Sequence, residues 1–361
     1  MGAYHYGSDR ISNMKIDRTK KQILWSALSV IVLGLSAFGI RHYSQKDSGL
    51  SCTKQLFAMD TIMSFTAYGK NCEEAVDAAV REVERLDELL STGNMSSEVS
   101  GLNETGEGTI SEDTVRLFQK SLDIYQATEG LFDLTVYPLM CLWGFPTKEY
   151  RVPAEEELKE TLSLVDGSKI TMEKNEVHLG AGQQIDFGGI AKGYASDRVM
   201  EIYKAYGITS GMVSLGGNVQ VLGKKPDNSA WRIGIRDPEG IPGEMAAVLE
   251  AENCAVVTSG GYERYFEEDG NTYIHILDPR TGYPVSGELA SVTIISEDGA
   301  LADALSTALY IMGTEDAASY WKADGSKFEM VLITRDGAVY ATEGLKGRIE
   351  TEREITIISK E

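Results

Sequence analysis

Residues 55–90 read QLFAMDTIMSFTAYGKNCEEAVDAAVREVERLDELL, and a change of period inside this stretch decides the class of fold. Gln55–Tyr68 is rich in apolar, β-branched and aromatic residues and predicts a strand ending at Gly69. From Glu73 the apolar residues Val76, Ala79, Val80, Val83, Leu86 and Leu90 recur at three- and four-residue spacing. That pattern predicts a helix over 73–90, with one apolar stripe turned to a core. A strand feeding into a helix through a glycine turn implies a body of mixed sheet and helix.

The rest of the chain alternates in the same way. Ser91–Asn103 is rich in Ser and Gly and reads as a loop, and Ser111 caps a helix running to about Ala127. Lys169–Met172 and Val177–Leu179 form a hairpin, and 190–206 is a helix. Met212–Leu222, Trp231–Arg236, Ala246–Ala251 and Cys254–Thr258 read as strands. A helix over 300–312 ends at Gly313, and 328–334 pairs with 338–342 across Arg335-Asp336-Gly337. This order predicts an α/β (mixed α+β) fold rather than a doubly wound sheet. No domain boundary is visible after residue 55, so 55–361 is one body.

Charge divides the chain. Residues 1–46 hold seven Lys/Arg and two Asp, a net of +5, so the whole-chain −21 leaves −26 for residues 47–361. So acidic a body excludes nucleic acid as a partner. Ile23–Ile40 is an uncharged, mostly apolar run of eighteen residues, about 27 Å long as a helix, close to a bilayer core. Basic residues precede it, which predicts a cytoplasmic tail (1–22), a single transmembrane helix (23–40), a linker (41–54) and a body outside the cytoplasm. A cleaved signal peptide with Ala37-Phe38-Gly39 as its site is the alternative, and export follows from either. Cys52, Cys72, Cys141 and Cys254 lie far apart without a Cys-x-x-Cys, which argues against zinc. One disulfide is open to them outside the cytoplasm, but a chain of this length does not require it, and free buried cysteines are the expectation.

Three places can carry chemistry. His275 stands before Asp278-Pro279-Arg280-Thr281-Gly282, a tight loop on which an imidazole could act as a base; a structural polar histidine is the plainer account. Asp303 and Thr307 are four apart in a predicted helix, with both oxygens on one face among small apolar residues. They read either as a helix-packing pair or as a hard oxygen site for Mg²⁺. Asp186-Phe187-Gly188-Gly189-Ile190-Ala191-Lys192-Gly193 opens a helix with three glycines and a lysine. It is a strand-to-helix turn or a cradle for phosphate, though not a Walker loop. Phe132 and Asp133 follow Gly130 and read as core and cap, or as a site wall. No G-x-S-x-G occurs, which disfavours a serine hydrolase.

Together these residues resemble the ApbE-type family of FAD:protein FMN transferases. The ordered motifs are Met59-Asp60-Thr61; Ser91 with Ser97 to Ser100 and Leu102-Asn103; Phe132-Asp133-x-Thr135-Val136-x-Pro138-Leu139; and Trp143-Gly144. They continue with Asp186 to Asp197; Gly216-Gly217-Asn218; Thr258-Ser259-Gly260; His275 to Pro284; and Asp303 to Thr307. The resemblance implies a single T-fold-like flavin-transferase body. It implies FAD as substrate, a divalent metal (Mg²⁺ or Mn²⁺), and transfer of FMN to a threonine of an acceptor flavoprotein with release of AMP. The acceptor it points to is a membrane redox-complex subunit. It assigns Met59, Leu131, Phe132, Asp133, Asp186, Lys192 and Ile276 to FAD. Gly189, Asp303 and Thr307 fall to the metal, and His275 is the base. Where members often carry an aromatic after Ser-Thr, this chain has Gly93, with Tyr262 or Tyr283 as substitutes. FAD hydrolysis to FMN and AMP, and an exported flavin-binding protein without chemistry, are the alternatives.

Overall fold

In the computed structural model, residues 50–241, 243–323 and 327–360 are described, and they belong to one unit. The predicted helix over 23–40 lies outside them, as does most of the linker. Among the described residues no helix is long and apolar enough to cross a membrane.

The elements run β1 (Ser51–Ala58), β2 (Thr61–Tyr68), α1 (Cys72–Leu90), α2 (Glu98–Thr105), β3 (Glu107–Thr109), α3 (Glu112–Ala127), α4 (Tyr137–Leu142), α5 (Glu155–Leu162), β4 (Thr171–Glu173) and β5 (Glu176–His178). Then come α6 (Ala191–Ala205), β6 (Ser210–Leu215), β7 (Asn218–Leu222), β8 (Trp231–Arg236), β9 (Met245–Ala251), β10 (Ala255–Gly260), β11 (Tyr265–Glu268), β12 (Asn271–Ile274) and β13 (Leu289–Ser296). The chain closes with α7 (Gly299–Met312), α8 (Thr314–Ala323), β14 (Glu329–Thr334), β15 (Val339–Thr342), β16 (Ile349–Glu350) and β17 (Ile355–Ile358). The large sheet has the order β1-β2-β6-β7-β10-β13-β14-β15-β17. It is antiparallel except for β15 against β17. The mixed fold expected from the sequence is the one observed.

Helices α1, α6 and α7 cover one face of this sheet and the small sheet β16-β9-β8 covers the other. The central strands divide their side chains between the two layers. Val292, Ile294, Met330 and Leu332 join the helical core, while Ile295, Val331 and Ile333 pack toward the small sheet. All eight residues of β13 are buried. No alternation marks such a strand, which is why none is predicted there from sequence. In α1 the buried residues are Cys72, Ala75, Val76, Ala79, Val83, Leu86 and Leu90, close to the predicted stripe.

Several expectations are corrected. Gln55–Tyr68 is not one strand but the hairpin β1–β2, with Ala58 opposite Thr61. Met59 and Asp60 supply its turn at φ +46° and +60°, the left-handed pair a two-residue hairpin requires. The usual Asn-Gly signal is absent, and the Asp87 carboxylate instead accepts from the Met59 N–H at 3.1 Å. Met212–Leu222 is likewise the hairpin β6–β7, turned by Gly216 and Gly217 at φ +59° and +102°. The expected loop 91–103 holds the start of α2, capped where the Ser97 hydroxyl accepts from the Ser100 N–H at 2.9 Å. Ser111 precedes α3, but its hydroxyl donates to Glu98 instead of capping. The last linker residues, from Ser51, already belong to β1.

The cysteines also depart from expectation. Cys52 on β1 and Cys72 at the start of α1 form a disulfide, and the free Cys141 is exposed; only Cys254 is both free and buried.

Helix α7 is apolar almost all round and sits inside the molecule. Its N-terminal donors are taken by two carboxylates. Asp298 accepts from Leu301 N at 2.9 Å, and Asp197 accepts from Gly299 N and Ala300 N at 2.8 and 3.0 Å. Helices α6 and α7 touch at Gly193, where an added Cβ would lie 2.1 Å from the Gly299 carbonyl oxygen and 2.7 Å from Asp303 Cβ.

Two outcomes follow from these contacts. Gly193→Ala should destabilise the protein by about 1–3 kcal/mol or more, because the obstructing atom is backbone and cannot rotate away; chemical denaturation measures it. Replacing Cys52 and Cys72 together by Ser should cost about 3 kcal/mol for a loop closed over 20 residues. An unchanged urea midpoint in the oxidised protein would show that the bridge does not form.

Candidate active site

His275 follows directly on β12, and its backbone N–H donates to the Arg264 carbonyl at 3.0 Å. Its Nδ1 lies 3.2 Å from the same oxygen. A carbonyl only accepts, so that bond places the proton on Nδ1 and leaves the Nε2 lone pair free. Burial pushes the imidazole down to about 4, the Arg264 and Lys192 charges push the same way, and the bond to Arg264 opposes them. The residue as a whole is partly exposed. Near neutral pH it is an uncharged acceptor.

The loop beyond is tightly closed. Gly282 N donates to Asp278 O at 2.7 Å, Asp278 N to Tyr283 O at 2.9 Å and Val285 N to Ile276 O at 2.9 Å. Trp143 Nε1 donates to Gly282 O at 2.9 Å, and Phe145 packs edge-on to the imidazole at 6.5 Å. Ile276 is buried in the core.

Asp303 is buried on α7, with Thr307 one turn later and half-buried. Asp303 Oδ2 accepts from Gly193 N at 2.8 Å, the helix-packing role its spacing allows. Its Oδ1 has the Lys192 ammonium at 3.8 Å. Thr307 Oγ1 is 3.4 Å from Ser259 Oγ, which is 2.7 Å from Ser306 Oγ. Among the described residues there is no group of three His, Cys, Asp or Glu able to hold a metal. A cation here would rest on one carboxylate oxygen and neutral oxygens, a hard donor set suited to Mg²⁺ or Mn²⁺.

Lys192, on the first turn of α6, ties the residues together. Besides its contact with Asp303, its charge acts on Asp186, Glu263 and His275. Burial raises the Asp186 carboxyl, opposed by the Gly188 N–H at 2.9 Å and by the Lys192 and Arg264 charges. Asp186 N also donates to Leu134 O at 3.0 Å, which lays the 131–134 segment along the glycine turn. There Phe132 covers Gly189, where a Cβ would meet its ring at 3.2 Å.

Leu131 is buried in the core. Asp133 has both oxygens engaged, Oδ1 by Thr135 N and Oγ1 at 2.8 and 2.7 Å, and Oδ2 by Gly167 N at 3.0 Å. Met59 holds the β1–β2 turn, next to an Asp60–Arg264 ion pair of 3.7 Å.

Glu263 and Arg264 are not expected from sequence, because no motif marks Tyr262-Glu263-Arg264. Burial raises the Glu263 carboxyl, as does the Asp303 charge, while Lys192 lowers it. Of the aromatic substitutes, Tyr262 carries Arg236 over its ring at 4.6 Å and Tyr283 packs on Trp143 at 5.9 Å. Tyr137 is the aromatic bonded to Thr92, beside Gly93, and it feels the Asp186 charge.

The chain matches the model of the ApbE family over residues 59–332. It is 30% identical over 350 residues to the FAD:protein FMN transferase of Treponema pallidum, covering 89% of this chain and 94% of that protein. The Vibrio cholerae FAD:protein FMN transferase is 32% identical over 273 residues, 74% of this chain and 82% of that one. The crystal structure of the ApbE protein from Thermotoga maritima superposes with a TM-score of 0.78 at 33% identity, covering 84% of this chain and all of that one. The apo flavinyl transferase ApbE of Pseudomonas stutzeri gives 0.76 at 28% identity, covering 84% and 98%. Matched by the family model over most of its length, and sharing the fold of its solved members, the chain belongs to the ApbE family.

Proposed function

We propose that this protein transfers the FMN half of FAD to a threonine hydroxyl of an acceptor protein, with AMP as the other product. The observation that carries the reading is membership of the ApbE family together with the crossing of α6 and α7, where Asp303 accepts from Gly193 N and faces Lys192 beside a glycine turn at a helix start.

The chemistry is phosphoryl transfer, which needs placement and charge compensation more than covalent help. The threonine oxygen forms a bond to the FMN phosphorus as the bond from that phosphorus to the bridging oxygen breaks. The threonine proton passes to His275 Nε2, and AMP leaves with the bridging oxygen. Lys192 offsets negative charge on the diphosphate. Asp303 Oδ1, the Thr307 hydroxyl and the backbone of Gly189 would hold a divalent cation, Mg²⁺ or Mn²⁺. When bound it supplies charge neutralisation at the diphosphate. Phe132, Leu131, Met59 and Ile276 would furnish apolar walls for the flavin, and Asp133 would fix the wall segment through Thr135 and Gly167.

The same reading places the body outside the cytoplasm, anchored through 23–40. The basic flank of that segment and the Cys52–Cys72 bridge support it, since disulfides persist in oxidising compartments. An acceptor there is an extracytoplasmic threonine on a membrane redox complex.

The test is incubation of the full chain with FAD, Mg²⁺ and a candidate acceptor. Flavin fluorescence should stay with the denatured acceptor band; FMN and AMP released without a labelled band would replace transfer with hydrolysis. His275→Ala should lower labelling by about a hundredfold or more while FAD still binds. Asp303→Asn should abolish labelling and metal dependence together. With His275 lowered to about 4, the imidazole stays unprotonated as pH falls through 6. The acid limb of kcat/KM, which reports the free enzyme, should therefore appear near pH 4. A limb near 6.5 would contradict a base held in this environment.

A further inference from the structure

The body around this site carries a net −26, so a diphosphate entering it meets repulsion that nearby cations must offset. Lys192 is one, and it is already drawn toward Asp303 at 3.8 Å. The arginines near the site differ in what holds them. Arg280 is clamped on Asp278 by both Nε and Nη2, at 2.9 and 2.7 Å. Arg236 lies on the Tyr262 ring. Arg264 has its backbone fixed, because its carbonyl takes both the N–H and the Nδ1–H of His275 at 3.0 and 3.2 Å. Its guanidinium is half exposed and faces Asp60 across 3.7 Å, a carboxylate that is itself 78% exposed. Such a loose, solvent-screened pair is worth little, so the guanidinium is free to turn to a stronger anion. Its charge already reaches Asp186, Glu263 and His275.

We propose that the Arg264 guanidinium is an anion-binding group of this site and grips the diphosphate of FAD alongside Lys192. It leaves Asp60 to do so. A planar fork of donors suits two phosphate oxygens at once, which an ammonium cannot match. The same residue therefore positions the base through its carbonyl and binds the substrate through its side chain. The inference rests on the reading of this site as one for FAD.

The test uses the full chain with Arg264→Gln, Arg264→Lys and Asp60→Asn. Each leaves the Arg264 carbonyl, and so the His275 bond, in place. Dissociation constants for FAD and for riboflavin, which lacks phosphate, come from quenching of flavin fluorescence. Arg264→Gln should weaken FAD about tenfold or more and leave riboflavin unchanged. Arg264→Lys should recover part of the loss, and Asp60→Asn should leave FAD as tight or tighter. Unchanged FAD affinity in Arg264→Gln overturns the proposal. So does equal weakening of FAD and riboflavin, which would mark a contact to the ring or damage to the fold. Acceptor labelling is followed in parallel. A wild-type chain that binds FAD but labels no acceptor refutes the transfer reading, while the two dissociation constants still decide the role of Arg264.

Discussion

The contact between α6 and α7 at Gly193 is the constraint from which the site follows. A side chain there would overlap the Gly299 carbonyl, so only glycine lets the two helices come this close. Because they do, Gly193 N–H meets Asp303 Oδ2 at 2.8 Å, and the neighbouring Lys192 reaches Oδ1. One helix brings the glycine turn and the lysine; the other brings the acid and the hydroxyl. The start of α7 is held in turn by Asp197, a residue of α6 itself. The pair is therefore bonded at two levels, and neither helix can slide without breaking a buried hydrogen bond.

Around that crossing, burial and charge assign different tasks to similar groups. The imidazole is kept neutral because it is desolvated and faces two cations. The carboxyls of Asp186 and Glu263 are raised by burial and partly restored by the same cations. Lys192 and Arg264 are set among the carboxylates Asp186, Glu263 and Asp303, and cations so placed are what an anionic dinucleotide requires of an acidic body. Phe132 over Gly189 and the closed loop after His275 hold the walls in place by packing and backbone hydrogen bonds.

Much of the architecture was legible from local pattern. The stripe of α1, the helices α6 and α7 and the hairpins β4–β5 and β14–β15 follow from apolar period and turn residues. The misreadings have definite causes. The β1–β2 turn uses Met59 and Asp60, residues without the usual turn signature, and their left-handed backbone is held by tertiary contact with Asp87. β13 is buried on both faces and so shows no alternation. The bridge between Cys52 and Cys72 depends on β1 lying beside the start of α1, and spacing in the chain does not reveal that.

The sequence by itself determined most of the helices and several strands, the acidic body, the basic apolar N-terminal segment and the motifs by which the chain resembles the ApbE family. These are properties of neighbouring residues, and short-range sterics and periodicity express them directly. Only the tertiary structure decided which Asp303 oxygen is committed to a backbone and which faces Lys192. It alone decided which imidazole nitrogen is free, and that Glu263 and Arg264 join the site. Those facts depend on groups from 11 to 110 residues apart being carried to within a few ångströms. Hydrogen-bond direction and desolvation exist only once that packing has formed.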